Sequence, residues 1–228
     1  MTLQEAIQAR HSVRVYKDTP LSEEAVRSLQ NKIESLNRES GLHVQLVVNE
    51  PKAFQSRLAK YGKFSGVTNY FVMAGAKSAD LEERVGYYGE QLVLFAQTLG
   101  LNTCWVGLTY SKIKGTYYLD DNEKIVCYIA LGYGATQGVA HKIKVVSQVS
   151  NVSETTPQWF KQGVEAALLA PTAINQQKFS FTYNNVEDGR PQVVARRSFS
   201  IAGYTKVDLG IAKLHFEIGA GKDNFEWA

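Results

Sequence analysis

Near the amino terminus, Arg10, Ser12 and Arg14 stand at every second position in RHSVRVY. In an extended stretch alternate side chains point the same way, so the three can converge on one ligand. Two guanidiniums and a hydroxyl suit a phosphate together with the polar edge of a ring. The same spacing also fits a solvated basic patch, and the motif alone does not choose between the two.

Three further stretches carry groups that could complete a site. GLNTCWVG (100–107) ends on Gly107, where a backbone without a Cβ can lie flat against a planar ligand; a core strand with a packed Trp105 fits equally well. LGYGATQGVAHKIKVV (131–146) is an apolar run opening into a glycine-rich loop that carries Lys142 and Lys144. ALLAPTAINQQKFSF (167–181) gathers hydroxyl and amide groups in a Pro-Thr-x-x-Asn-x-Gln loop. Such a set both donates and accepts, as the edge of an isoalloxazine or its ribityl chain would require, although a plain helix-to-strand turn accounts for it too.

The elements that must hold these stretches follow from spacing. Thr2 and Glu5 have the separation of a capping box, which starts a short helix with Leu3, Ala6 and Ile7 on one face. Val13 and Val15 then alternate with polar residues, predicting extended chain. Ser22 opens a second helix with Val26, Leu29, Ile33 and Leu36 on one side, and Gly41 stops it. HVQLVVN (43–49) and NYFVMAGA (69–76) read as strands. Leu81, Val85, Tyr88, Leu92, Phe95 and Leu99 mark the longest helix, with Gly100 as its stop. Gly86 and Gly89 inside it cost about 1 kcal/mol each, so close approach by a backbone or ligand is expected there. TCWVGL (103–108) and IVCYIALGY (125–133) are continuous apolar runs, as in strands covered on both faces. After a polar stretch at 146–158 come a helix (157–169), a strand (178–184), a turn at Asp188-Gly189, a strand at QVVAR and a closing helix through Val207, Ile211, Leu214 and Ile218.

Composition narrows the function classes. The 228 residues, 44% hydrophobic and 21% charged, suit one α+β unit or two fused small halves. A chain this size buries roughly 70% of its unfolded surface and needs no disulfide or structural metal. Cys104 and Cys127 lie inside apolar runs as expected free thiols, and no Cys/His spacing suggests zinc. A net charge of +3 is too small to argue for nucleic acid, though it suits a small anionic ligand. No GxGxxG or GxxxxGK[ST] follows a strand, which disfavours Rossmann and P-loop sites. Four histidines without triad context disfavour hydrolysis. No signal-like or membrane-length apolar segment is present, so a cytoplasmic protein without membrane contact is expected.

Together the four blocks resemble the nitroreductase family of FMN enzymes. RHSVRVY is similar to its opening Arg-x-Ser-x-Arg/Lys block, GLNTCWVG to its flavin-facing turn, and LGYG…HKIK to its closing strand and basic pair. ALLAPTAINQQKFSF resembles its Ala-Pro-Ser-x-x-Asn-x-Gln-Pro-Trp block, with Thr172 for Ser and Lys178-Phe179 for Pro-Trp. The resemblance implies an α+β fold with a central, mostly antiparallel sheet and flanking helices. It also implies FMN as cofactor, NAD(P)H as reductant and a small acceptor such as a nitro compound or quinone. Arg10, Lys142 and Lys144 would hold the phosphate, with Ser12 nearby and His11 bordering the flavin. Arg14 would face the pyrimidine side, and the backbone around Val106 and Gly107 would approach N5, with Trp105 also binding the cofactor. Ala170, Pro171, Thr172, Ala173, Asn175 and Gln177 would close the other side. No metal and no separate catalytic side chain is implied.

One departure bears on architecture. The Ala-Pro-Ser-like block comes about 120 residues later than in the family at large, whose members are intertwined homodimers sharing each flavin between subunits. The implied arrangement is a fused pseudo-dimer, residues 1–150 as one half and 151–228 completing the flavin site, with one FMN per chain and no need for a second chain. VDLGIAKLHFEIGAG (207–221) echoes GYYGEQLVLFAQTLGL (86–101), as a duplicated central helix would. Arg196-Arg197-Ser198 lacks a second basic residue in register and reads as a surface strand. Two other readings stay open: an FMN-binding protein that stores, cleaves or senses flavin, and an interaction protein whose flavin site has decayed.

Overall fold

A computed structural model of the chain describes residues 1–186 and 189–228. The turn expected at Asp188-Gly189 starts on a residue outside that set.

The chain opens on α1 (Leu3–Ala9), started by the expected capping box: Thr2 Oγ1 accepts from the Glu5 amide and the Glu5 carboxylate accepts from the Thr2 amide. It leaves the helix at Arg10 with extended backbone. Next comes α2 (Glu23–Ser40), capped by the Ser22 hydroxyl and ended by Gly41 at φ +66°. β1 (Gln45–Val47), the short α3 (Arg57–Tyr61) and β2 (Asn69–Ala76) precede the long α4 (Leu81–Thr98). β3 (Asn102–Val106) and β4 (Glu123–Gly132) complete an antiparallel sheet of order β1-β2-β4-β3. β2 is buried almost throughout because both faces of this sheet are covered. Phe71, Met73 and Ile129 pack under α2 and α4, while Tyr70, Val72 and Tyr128 pack against Val13, Phe54 and Phe64. Burial on both faces is why these strands read as unbroken apolar runs.

The rest of the chain supplies α5 (Gln158–Leu168), β5 (Phe179–Asn184), β6 (Gln192–Arg197), α6 (Thr205–Ala220) and β7 (Glu226–Trp227). The last three strands form a second sheet, β5-β6-β7, in which β6 and β7 run parallel. Its core is aromatic, with Phe160, Phe181, Phe216 and Phe225 buried together. The strand at 43–49 shortens to three residues, and α3 and β7 carry no periodic signal.

The glycines of α4 explain how the two parts meet. A Cβ on Gly86 would stand 2.1 Å from the Val207 carbonyl oxygen, and one on Gly210 would stand 2.0 Å from that of Glu83. Only a residue without a side chain lets the two backbones touch there. The contact is reciprocal: each glycine meets the carbonyl three residues before the other. A shift of 124 positions carries Gly86 to Gly210, and carries Leu81, the first residue of α4, to Thr205, the first of α6. The two helices thus cross at positions that match in sequence. Gly89 serves differently, giving room to the Trp105 ring.

Candidate functional site

The first motif runs beside β3. Ser12 bridges Thr103 in parallel and Tyr16 bridges Gly134, so the expected extended stretch is present as short pairings. The end of β3 delivers Trp105 and Val106, and Gly107 follows directly. The loop after α5 delivers Pro171, Thr172 and Ala173 from the opposite side, and the start of α6 supplies the wall between them. These segments enclose a cavity of about 450 Å³, a size within the range of small-molecule sites. Eight of the fifteen residues expected at a site line it: Ser12, Arg14, Trp105, Val106, Gly107, Pro171, Thr172 and Ala173.

The other seven lie behind or beside the walls. Ala170 is fully buried. Asn175 and Gln177 turn away from the cavity and donate through their side-chain amides to the Lys142 carbonyl, at 2.8 Å each. Lys144 is tied to the same loop, its amide donating to Gln177 Oε1 and its Nζ to the Gln177 carbonyl. The HKIK segment and the Pro171–Gln177 loop are therefore bound to each other across the site.

Arg10 is 2% exposed, and its Nε lies 3.7 Å from a carboxylate oxygen of Glu90 with no hydrogen-bond partner among the described residues. Glu90 is fully buried in the middle of α4. It accepts from Trp105 Nε1 at 2.8 Å and sits 3.0 Å from His215 Nε2 on α6. A carboxylate can occupy so dry a position only when its oxygens are bonded and a cation is near. Glu90 thereby fixes the ring of Trp105, which forms part of the cavity wall. His11 and His141 also stand near Arg10 and feel its charge. Burial, then the Arg10 charge, holds His11 below the usual imidazole range. His141 lies 3.0 Å from the Leu168 carbonyl. Burial depresses it too, with Arg10 and His11 adding to the effect. Gly138, at φ +74°, passes so near His11 that a Cβ would stand 2.7 Å from the histidine's own. Two imidazoles held toward the neutral form beside the buried Arg10 guanidinium offer N–H donors and one positive charge, a set that suits an anion.

Inside the cavity, the planar group lying on Gly107 is the Tyr204 ring. A Cβ on Gly107 would meet Tyr204 Cζ at 2.6 Å, and the phenol donates to the Gly107 carbonyl at 2.7 Å. Asp208 lines the same wall, and burial pushes its carboxyl up to about 6. Cys127 borders the cavity, and burial pushes its thiol far above the usual range, which favours the neutral form. Both cysteines are free and buried, as expected.

Residues 2–220 match the family model described as "Putative TM nitroreductase". The chain belongs to this family. Among solved structures, a "putative nitroreductase" from Thermotoga maritima MSB8 superposes with a TM-score of 0.66 at 24% identity, covering 98% of this chain and 85% of that one. A "putative nitroreductase" from Desulfovibrio desulfuricans, itself in complex with FMN, gives 0.52 at 20% identity, covering 69% and 99%. A "Putative NADH dehydrogenase/NAD(P)H nitroreductase" from Bacteroides thetaiotaomicron VPI-5482 gives 0.50 at 18%, covering 64% and 95%. These likenesses show the nitroreductase-like α+β fold. No curated protein matches the chain. Among the described residues no helix is long and apolar enough to cross a membrane.

Sequence reasoning missed several parts of this nitroreductase-family site. His141 opens the HKIK segment, and its position beside Lys142 and Lys144 is the signal that marks it. Glu90 and His215 were visible as polar residues on apolar helix patterns, a signal of buried pairing. Tyr204 and Asp208 gave no signal, because only the crossing of α4 and α6 brings the start of α6 to Gly107.

Proposed function

We propose that the chain is an FMN-dependent oxidoreductase that takes reducing equivalents from NAD(P)H and passes them to a small acceptor such as a nitro compound or quinone. The observation that carries this reading is the cavity itself. It gathers Ser12 and Arg14, the Trp105–Gly107 turn and the Pro171–Ala173 loop from three distant segments, beside the buried side chain of Arg10. Family membership and the FMN in the Desulfovibrio structure support the choice of ligand.

The residues fit such a group. Arg10, His11 and His141 would hold its phosphate, with Lys142 and Lys144 at the edge of the cluster, and Ser12 would bond nearby. Arg14 presents its guanidinium to the cavity and would stabilise negative charge on a bound ring. Thr172 and Ala173 would close the facing side. Bound FMN would supply hydride transfer, which the side chains here do not perform. The protein's part is to bind, orient and exclude water. We also propose that residues 1–150 and 151–228 act as fused halves, giving one FMN per chain without a partner chain. Support comes from the reciprocal contact of Gly86 and Gly210 and from a cavity lined by residues of both halves.

The test is the visible spectrum of the purified protein with added FMN, before and after anaerobic NADH or NADPH. Bound flavin absorbance at one equivalent per chain, bleached by a nicotinamide, is the expected result. No flavin uptake would refute the reading. A second reading, an FMN binder without turnover, is favoured by Tyr204, whose ring covers Gly107. It predicts flavin uptake without bleaching.

A further inference from the structure

We propose that Asp208 is a positioning residue of this cavity: its carboxylate clamps the Thr172–Gln177 turn to the start of α6 and so sets which groups of that turn face the ligand. The turn needs a clamp. Ile174, Asn175 and Gln177 have φ of +49°, +56° and +44°, left-handed values disfavoured for side-chain-bearing residues and most of all for β-branched Ile174. Such a backbone persists only where its surroundings over-determine it.

The outer end of the turn is bound to Lys142 and Lys144, as described above. At the cavity end Asp208 takes over. One oxygen accepts from the Ala173 amide at 2.9 Å, and the other accepts from Gln176 Nε2 at 2.6 Å. Gln176 Nε2 also donates to the Gly203 carbonyl at 2.9 Å, so the clamp reaches the loop that delivers Tyr204 onto Gly107. Asp208 is 3% exposed, and the turn it holds contains no charged residue.

The charged groups on the surrounding elements are engaged elsewhere. On α6, Lys206 donates to the Ala79 carbonyl and Lys213 pairs with Glu83 of α4. Also on α4, Glu82 pairs with Lys124 of β4 and Arg84 pairs with Asp80. Arg197 of β6 donates to Thr205, Lys144 is held by Gln177, and Arg14 and the Tyr204 phenol line the cavity. The carboxylate therefore faces two N–H donors and, among the described residues, no paired cation. Burial, the largest influence, raises its pKa to about 6, against the smaller lowering effect of those two donors.

While the carboxyl stays buried, protonation would replace an acceptor with an O–H where donors point in, loosening the clamp. The two donors lower the carboxyl's pKa, so losing them alone raises it further. For the folded state as a whole the sign is opposite. With the folded pKa raised, the group's contribution to stability is full below its unfolded value and is lost as pH rises through about 6. Loosening of the turn on acidification is thus distinct from acid unfolding.

The proposal rests on the flavin reading only for the identity of the ligand. Hydrogen exchange at the Ala173 amide in the full chain, without added ligand, tests the clamp itself; FMN titration followed by fluorescence tests its consequence. Between pH about 5 and about 8, corrected protection at Ala173 should rise about tenfold through a midpoint near 6, with FMN affinity rising in step. Asp208→Asn should lose that step and bind FMN about tenfold more weakly at neutral pH. Gln176→Ala, a milder change, should lose part of the protection and keep the step. Wild-type exchange and an unchanged pH profile in Asp208→Asn would overturn the proposal, as would unchanged exchange in Gln176→Ala if the first variant fails to fold. If no form takes up FMN, the flavin reading fails while exchange at Ala173 still decides the clamp.

Discussion

The two faces flanking the crossing of α4 and α6 are built from matching positions and have become opposites. Shifting by 124 positions carries Asp80, Glu83, Arg84 and Tyr87 onto Tyr204, Val207, Asp208 and Ile211. The second set lines the main cavity, and the first lines another cavity of about 360 Å³ on the α4 side. On that side most of the charges are paired with one another. Asp80 pairs with Arg84 at 2.9 Å and Glu83 with Lys213 at 3.0 Å, while Glu217 accepts from Tyr87 and from Trp227 Nε1. On the α6 side, Val207 and Ile211 offer apolar wall, Asp208 is spent on the neighbouring turn, and Arg14 across the cavity has no salt-bridge partner among the described residues. One helix frame therefore gives a self-satisfied surface at one end and a receptive cavity at the other. The difference lies in which side chains already have partners.

The crossing that creates both faces is where a substitution should cost most. Gly210→Val would drive a side chain into the Glu83 carbonyl, with backbone rather than a flexible side chain in the way. Overpacking of a well-packed contact costs about 1–3 kcal/mol, and a backbone clash on both flanks belongs at the top of that range or above it. Urea denaturation should show this loss, and Gly86→Val should match it because the contact is reciprocal. A loss below about 1 kcal/mol at either glycine would mean that the helices can part without penalty, and the comparison of matching positions would lose its basis.

How much of this was legible depended on how local each cause is. The caps at Thr2, Ser22 and Gly41 act within a few residues, and β2 announced itself over its full length because burial on both faces demands an unbroken apolar run. Gly86 stood out as a helix-weakening residue, and close approach was the right expectation; its partner Gly210, far along the chain, could not be named. The candidate site divides in the same way. Arg14, Gly107 and Thr172 were singled out from their blocks, and all three line the cavity. Gln177 was grouped with them, yet it spends its amide on Lys142 and Lys144, a choice made by the left-handed turn around Ile174. Asp208 and Tyr204 escaped because nothing in their own neighbourhood marks them.

The next largest effect should separate the two faces by ligand. Arg14→Ala removes a cation that lines the main cavity, and a hydrogen bond to a charged group contributes about 1.5–3 kcal/mol, so FMN affinity should fall about tenfold to a hundredfold. The folded state should hardly change, since the Arg14 side chain makes little more than a distant contact, its Cζ 6.0 Å from the Phe64 ring centre. Arg84→Ala on the opposite face should leave FMN affinity within about twofold, because that guanidinium is already spent on Asp80 and the Ser40 carbonyl. Equal losses in both variants would mean that the α4-side cavity also receives flavin, and titration would then show two equivalents per chain.

The smallest effect is expected at Asp80, and it tests whether self-satisfaction on the α4 face is more than a geometric tally. Its carboxyl is held below the usual range first by the Ser78 hydroxyl and also by Arg84. For a lowered carboxyl the contribution to stability is present above its unfolded pKa and lost as pH falls through the folded value. Asp80 is 64% exposed, however, and water screens the pair. An exposed i,i+4 ion pair contributes about 0.3–0.5 kcal/mol, less at high salt. Asp80→Asn should therefore lower stability by no more than about 0.5 kcal/mol in low salt at neutral pH, and the difference should shrink in high salt. A loss above about 1 kcal/mol that persists in salt would show that the α4 face depends on a buried network rather than on pairs at its rim. Arg84, still bonded to the Ser40 carbonyl, would keep its place either way, so the FMN titration of this variant should overlay that of the wild type.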